Sequence, residues 1–560
     1  MDKKTFTKKK MNILEIIYSF FLFAFTFDYW KIFYLIEKCI LRTMMLILGC
    51  IMYPIIRMRL KKSQYCPPLL NRIFFWTATD IARKIRMKEI TSEEVVSTFI
   101  ARCKEVNPIL NAIVEDNYKN ALEEARAVDY FLNTTTQSIK CIAEEMPLFG
   151  VPITIKASIA VKDFSIAVGV TSEKHIKAEK NADVIRKVRE AGGIILLTSN
   201  TPELCMFWET FNNIIGRTSN PYDTRRTSGG STGGEAALIS SGASVMGLAS
   251  DVAGSIRLPA MFCGIFGHKP TSYWISCKGH RPIGTNKRWN DTFTIGVMTR
   301  YAIDLPLILR SITTSKKCMK CLDRQVDIRT IKIFYLDDKY CKILGSSIDM
   351  EIKLAINNLT NHLKSTYQCQ VQKVELKNLK YAMEIGSLTP FELNKTETIF
   401  NLNDGTKPWK SVFLVLVQRL FNLNSHTWGS ILYGILVRFL EILPTSVYKD
   451  ILKKRSLLKK ELELILDKNA VLICPTFNAC AHYHSEIYYK FLNIAYMNIF
   501  NSLSLPVTQC PMGLNRNGLP IGLQIIANDS CDHLTIALAK EIEKQFGGWQ
   551  VPPSNINTVT

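Results

Sequence analysis

Residues 227–259 read TSGGSTGGEAALISSGASVMGLASDVAGSIRLP. Two Gly-rich turns, each carrying a hydroxyl, bracket an alanine-rich run. The first is Gly229-Gly230-Ser231-Thr232-Gly233-Gly234. The second is Asp251-Val252-Ala253-Gly254-Ser255. The run between them has few helix breakers and many small residues, so it predicts a helix followed by a buried strand. Glycine lets backbone N–H groups approach another group closely. A serine in such a turn, with amides aimed at the same spot, has the layout of a nucleophile beside an oxyanion hole. A Gly-rich anion nest is the other reading. Neither G-x-x-x-x-G-K-[ST] nor a strand–GxGxxG–helix unit is present, which argues against a nucleotide loop.

Upstream, LFGVPITIKASIAVKD (148–163) adds one residue. The apolar run VPITI delivers Lys156 to a buried strand end. Burial disfavours the ammonium, and a neutral lysine is a general base. No histidine lies between His175 and His268, so a local Ser-His pair is not on offer, whereas Ser-Lys variants of the triad are known. Alone, Lys156 reads as a surface ion pair and each serine as a turn residue. The three motifs together favour catalysis.

Lys156, Ser231 and Ser255, with GGSTGGE and SDVAGSIRLPA around them, resemble the amidase signature family. GRTSNPYDTRRTSGGSTGGEAALIS and SIRLPAMFCGIFGHKPT carry the likeness, which runs from about Ile73 to about Pro553. With the apolar N-terminus, the likeness is strongest to the family's fatty-acid amide hydrolase 2-like branch in animals. The resemblance implies an α/β fold: one large domain with a mixed sheet layered between helices. It implies Ser255 as acyl-forming nucleophile, Ser231 as relay and Lys156 as base. The backbone N–H groups of Val252, Ala253, Gly254 and Ser255 would form the oxyanion hole. Asp251 and Arg257 would brace the turn by a salt bridge, and Thr232 either bonds near the nucleophile or simply packs. No metal or organic cofactor is implied. Two residues depart from the family pattern: Ala253 stands where glycine is common, and Ala157 where an acidic residue usually follows the lysine.

The implied reaction is hydrolysis of a carboxamide, with fatty-acid amides as substrates. Two other readings are a glutaminase subunit of an amidotransferase and a catalytically impaired binding protein on the same scaffold. Family relatives form dimers, so a homodimer is a partner the resemblance allows.

Composition bounds these readings. The chain has 560 residues, 47% hydrophobic and 21% charged, which suits a substantial core and excludes a disordered or fibrous protein. Of its net charge of +21, residues 1–62 supply 8, with 12 Lys/Arg against 4 Asp/Glu, and the rest is spread over the body. The body has no basic run interleaved with aromatics, which argues against nucleic acid. The N-terminal excess suits anionic lipid headgroups. The 16 cysteines are irregularly spaced; Cys318 and Cys321 form an unpaired CxxC, and all read as structural or free thiols. Cys39, Cys50, Cys263 and Cys510 sit in apolar contexts that suit burial.

In chain order, residues 1–62 read as a basic tail and hydrophobic membrane anchor on an endomembrane. The uncharged runs Ile16 to Phe27 and Thr43 to Ile56 are each shorter than the ~20 residues of a span. Residues 63–72 read as a linker and 73–555 as the amidase domain. Thr91 to Glu94 is a capping box opening a helix that Asn107-Pro108 should end. Strands and helices alternate from Leu148 to Pro270. Residues 409–443 contain two helices apolar on most of their circumference, read either as core helices or as a lipid-facing cap. Five N-x-[ST] sequons matter only if the body faces a lumen.

Overall fold

The structure, a computed structural model, describes residues 29–284, 288–336, 347–392, 398–400, 412–441 and 444–554. The uncharged run at 16–27 lies outside the described residues, as do the ends of the cap segment, 409–411 and 442–443. Contacts divide the chain after Met58.

Among the described residues the first unit contributes the helix Tyr29–Met58, with Pro54 inside it. Among the described residues no helix is long and apolar enough to cross a membrane, so a membrane-spanning anchor is not found there. Cys50, expected to be buried, is exposed on it, while Cys263 and Cys510 are buried as expected.

The second unit is built on a mixed sheet. Its strands, with a small hairpin included in the numbering, are β1 (Ile113–Asp116), β2 (Pro152–Lys156), β3 (Ile194–Ser199), β4 (Phe211–Asn212), β5 (Gly216–Arg217), β6 (Met246–Asp251) and β7 (Phe266–Lys269). They continue with β8 (Thr294–Thr299), β9 (Lys332–Tyr335), β10 (Val371–Lys373), β11 (Ala470–Pro475), β12 (Val507–Leu514) and β13 (Pro520–Ala527). Among the described residues eleven of them form one sheet in the order β1-β3-β2-β6-β8-β7-β12-β13-β11-β9-β10, with β4 and β5 paired apart. β2 runs parallel to both β3 and β6, whereas β6–β8, β7–β8, β7–β12 and β12–β13 are antiparallel. The central strands β2, β3, β6 and β8 are buried along their whole length. That accounts for their continuous apolar reading, since helices cover both faces.

The parallel trio decides where the chemistry sits. Thr154 pairs with Gly247 and Ile155 with Leu248. Lys156, at the end of β2, therefore leaves the sheet beside Ser250 and Asp251 at the end of β6. Ligands in open α/β sheets bind at such carboxyl ends.

Of the capping box only the N-cap half forms: Thr91 caps the helix Ser92–Leu110 and accepts from the Glu94 amide. The predicted stop at Asn107-Pro108 is wrong. Pro108 lies inside the last turn, and the helix runs on to Leu110 before Asn111 turns left-handed at φ 51°. Proline near a helix end removes a single backbone bond, and the Asn107 carboxamide oxygen closes the helix end by accepting from the Ala112 and Ile113 amides. The cap segment forms helices Val412–Leu420 and Trp428–Glu441. They belong to a small satellite cluster rather than the main core: Val415 and Ile431 pack with Val170, Leu204, Met206, Ile399 and Phe400. Leu414, Leu420, Phe421, Leu423 and Leu432 are exposed.

Candidate active site

The Ser231 turn precedes the helix Gly233–Ser240, every residue of which is buried. The peptide bond Gly230–Ser231 is cis. Gly230 admits no side chain, because a Cβ there would lie 2.7 Å from the Phe207 carbonyl oxygen. The turn is thereby pressed onto the 203–209 loop.

Lys156 is fully buried, and its Nζ has three neighbours: Ser231 Oγ at 2.8 Å, Ser250 Oγ at 3.0 Å and the Ser250 carbonyl oxygen at 3.4 Å. Burial pushes its pKa below the ordinary lysine value, while Cys205, Asp251 and Glu235 pull the other way. A neutral amine has two N–H donors and one lone pair. The Ser250 carbonyl only accepts, so it takes one N–H. If Ser250 Oγ takes the other, the lone pair is left facing the Ser231 hydroxyl.

Ser231 and Ser255 line one pocket, together with Leu204, Cys205, Met206, Ser250, Val252, His280, Pro282, Trp289, Phe293 and Tyr433. Ser255 Oγ hydrogen-bonds none of the described residues, and no hydrogen bond joins it to Ser231. Thr232 Oγ1 is buried and also without a partner among them, which fits the packing reading better than the bonding one.

The second turn is held from beneath. Asp251 and Arg257 form a fully buried ion pair, Nε to Oδ2 at 3.1 Å and Nη2 to Oδ1 at 3.2 Å. Burial alone would raise the Asp251 carboxyl, but Arg257 and the amides of Gly254 and Ile256 hold it well below the usual carboxylate range. Asn501 and Gln524 complete the network, Asn501 Nδ2 donating to Asp251 Oδ1 at 3.0 Å and Arg257 Nη1 to Gln524 Oε1 at 3.1 Å. Trp208 Nε1 donates to the Ala253 carbonyl at 3.0 Å. One expectation needs correcting. The Gly254 N–H points at Asp251 Oδ1, 2.7 Å away, so it faces the brace and not the pocket. The amides of Val252, Ala253 and Ser255 have no acceptor among the described residues. The Ala253 departure carries no backbone strain: the positive φ of the turn is at Gly254, +98°, where glycine is retained.

Sequence reasoning missed Ser250, His280, Cys205 and Trp208. The Ser250 signal was present, since it directly precedes Asp251 on a strand that β2 pairs in parallel. His280 arrives from a loop 25 residues beyond Ser255, too far for local spacing to reveal.

Residues 94–536 match the model of the amidase family. The chain is 35% identical to fatty-acid amide hydrolase 2-A of Danio rerio over 492 residues, 87% of this chain and 91% of that protein. It is 33% identical to fatty-acid amide hydrolase 2 of Homo sapiens, over 87% of this chain and 92% of that one. A solved fatty acid amide hydrolase superposes with a TM-score of 0.66 at 22% identity, covering 85% of this chain and 86% of that one. The chain belongs to the amidase family and is a hydrolase acting on amides. Within that family its similarity to the fatty-acid amide hydrolase 2 proteins spans most of both chains.

Proposed function

We propose that this protein is a membrane-associated serine hydrolase of fatty-acid amides. The observation that carries the mechanism is the 2.8 Å contact between buried Lys156 Nζ and Ser231 Oγ. Neutral Lys156 takes the Ser231 proton as Ser231 takes that of Ser255. Ser255 Oγ attacks the amide carbonyl, and the amides of Val252, Ala253 and Ser255 stabilise the oxyanion. The proton returns through Ser231 to the departing amine. Water then repeats the cycle to release the acid and restore Ser255.

The substrate class rests on two supports. One is the similarity to fatty-acid amide hydrolase 2 proteins. The other is the apolar wall of the pocket, Leu204, Met206, Val252, Trp289 and Phe293, with Tyr433 of the cap beside it. Membrane association rests on the helix Tyr29–Met58, which exposes Met44, Leu46, Ile47, Ile51 and Ile55 ahead of Arg57, Arg59, Lys61 and Lys62. Apolar side chains beside a basic cluster suit a surface-bound helix on anionic lipid.

Labelling by a fluorophosphonate probe tests the mechanism. Wild type should label, Ser255→Ala should not, and Lys156→Ala should label at least ~100-fold more slowly. Labelling of Ser255→Ala at the wild-type rate would sink the assignment. Faster hydrolysis of oleamide-like than of short-chain amides supports the lipid reading, and the reverse order rejects it.

A further inference from the structure

His280 is fully enclosed in the pocket wall, with the Phe293 ring 4.6 Å from its own. Its Nδ1 lies 3.2 Å from the Pro282 carbonyl oxygen. Its Nε2 lies 2.9 Å from both Ser250 Oγ and Ser158 Oγ. A carbonyl only accepts, so Nδ1 carries the proton and Nε2 of the neutral ring is an acceptor. Two hydroxyls, Ser158 and Ser250, share that one lone pair at equal distance, and in the arrangement taken up here Ser250 donates to Nε2. Its oxygen is then turned to accept from Lys156, and the Lys156 lone pair is left to Ser231. We propose that His280 is a positioning residue: acting through Ser250, it fixes the direction of the hydrogen-bond chain so that Lys156 faces Ser231 as a base. This rests on the assignment of Lys156 as base made above.

Burial and the nearby Lys156 push the His280 pKa down to about 3, so the ring stays neutral through the range in which an amidase would work. The other charged or titratable groups acting on Lys156 are Cys205, Asp251 and Glu235, and none of them donates to Ser250 Oγ.

The test is the pH dependence of fluorophosphonate labelling in the full chain. His280→Phe keeps bulk in the wall but removes the acceptor. Ser250 then rotates and donates into the Lys156 lone pair, in competition with Ser231. The plateau rate should fall by about tenfold or more, and the acid limb should move to lower pH because a hydroxyl donating to the lone pair favours the neutral amine. A packing defect would lower the labelled fraction and leave the limb in place. His280→Gln, whose amide oxygen reaches the Nε2 position, should recover to within about threefold of wild type, and His280→Phe should cost less than about twofold in a Ser250→Ala background. Wild-type rate and limb in His280→Phe would overturn the proposal, as would His280→Gln no faster than His280→Phe. Should His280→Phe not fold, Ser250→Ala alone must show the slowed plateau and shifted limb, and a wild-type profile there refutes it. If Lys156→Ala labels at the wild-type rate, the base assignment fails and this inference with it. If Lys156→Ala is silent while His280→Phe is normal, only this inference fails.

Discussion

The carboxyl ends of β2 and β6 and the cap helices lie on two sides of one pocket and are built on opposite principles. At the strand ends, charged and polar side chains are buried, and most are tied to a named partner. Lys156, Asp251 and Arg257 have no exposure, and Glu235, also fully buried, is held by Ser199 at 2.7 Å and by Thr154. In the cap, apolar side chains stand in solvent: Leu420, Phe421 and Leu423 are each more than two-thirds exposed. Burying ions costs stability unless their partners are all in place, and exposing leucines forgoes burial free energy. A fold tolerates both where geometry at one place and contact with an apolar ligand at the other matter more. The stability of the first region should therefore depend on single residues, and that of the second should not.

The sharpest way to break the first region is Asp251→Ala. It strands a fully buried Arg257 guanidinium and removes the acceptor of the Gly254 and Ile256 amides. Unfolding by urea should show a loss of about 3–5 kcal/mol, and labelling should vanish. A loss below about 1 kcal/mol would mean that Asn501 and Gln524 hold Arg257 without it. Gly254→Ala comes next. The left-handed backbone and a Cβ placed 2.6 Å from Met497 Cβ both oppose it. The expected cost is about 1–3 kcal/mol, with labelling slowed ~100-fold as the Ser255 amide moves. Met497→Ala should not rescue it, because φ is unchanged.

Lys156→Met reverses the sign. Burial lowers the Lys156 pKa in the folded state, so between that pKa and about 10.4 the unfolded chain binds more protons. Stability then rises with pH through this window, and below it the folded chain bears the full cost of a buried ammonium. The difference between Lys156→Met and wild type should favour the variant at pH 7 and shrink by pH 10, while labelling is lost. Lys269, held at about 8 mainly by burial, adds a slope of the same sign to both proteins, so the difference isolates Lys156. Equal pH dependence in the two proteins would show that Lys156 is not depressed.

How much of this was legible in the sequence follows the same division. β2, β3 and β6, and the helix between the two glycine turns, were readable from apolar runs bounded by glycine. The roles of Ser231 and Ser255 came from resemblance, not from spacing. Directional facts were hidden. Whether the Gly254 amide faces the pocket or Asp251 depends on backbone rotation within the turn, which composition does not encode. His280 reaches Ser250 only because the chain after β7 folds back across the end of β6. The departure at Ala253 could not be weighed from sequence, because the position of the positive φ could not be assigned within Ala253-Gly254. The cap helices left core and surface equally open, since leucine on every side gives no periodic face.

The smallest expected effect on stability tests the second region. Leu420→Asp with Phe421→Asp alters two side chains that are 71% and 72% exposed. Neither belongs to the buried cluster that ties the cap to Leu204 and Met206. The unfolding midpoint should correspond to a change within about 0.5 kcal/mol, as for surface substitutions elsewhere. Labelling by a small fluorophosphonate should match wild type, because Ser255 and Lys156 are untouched. Hydrolysis of a long-chain amide presented in anionic vesicles should nevertheless slow, through a raised KM at constant kcat, while a short soluble amide should not. The two carboxylates remove apolar contact and add repulsion from an anionic surface. A large loss of stability would place these residues in a packed core. Unchanged vesicle kinetics would leave the exposed leucines of the cap without a role in delivering substrate.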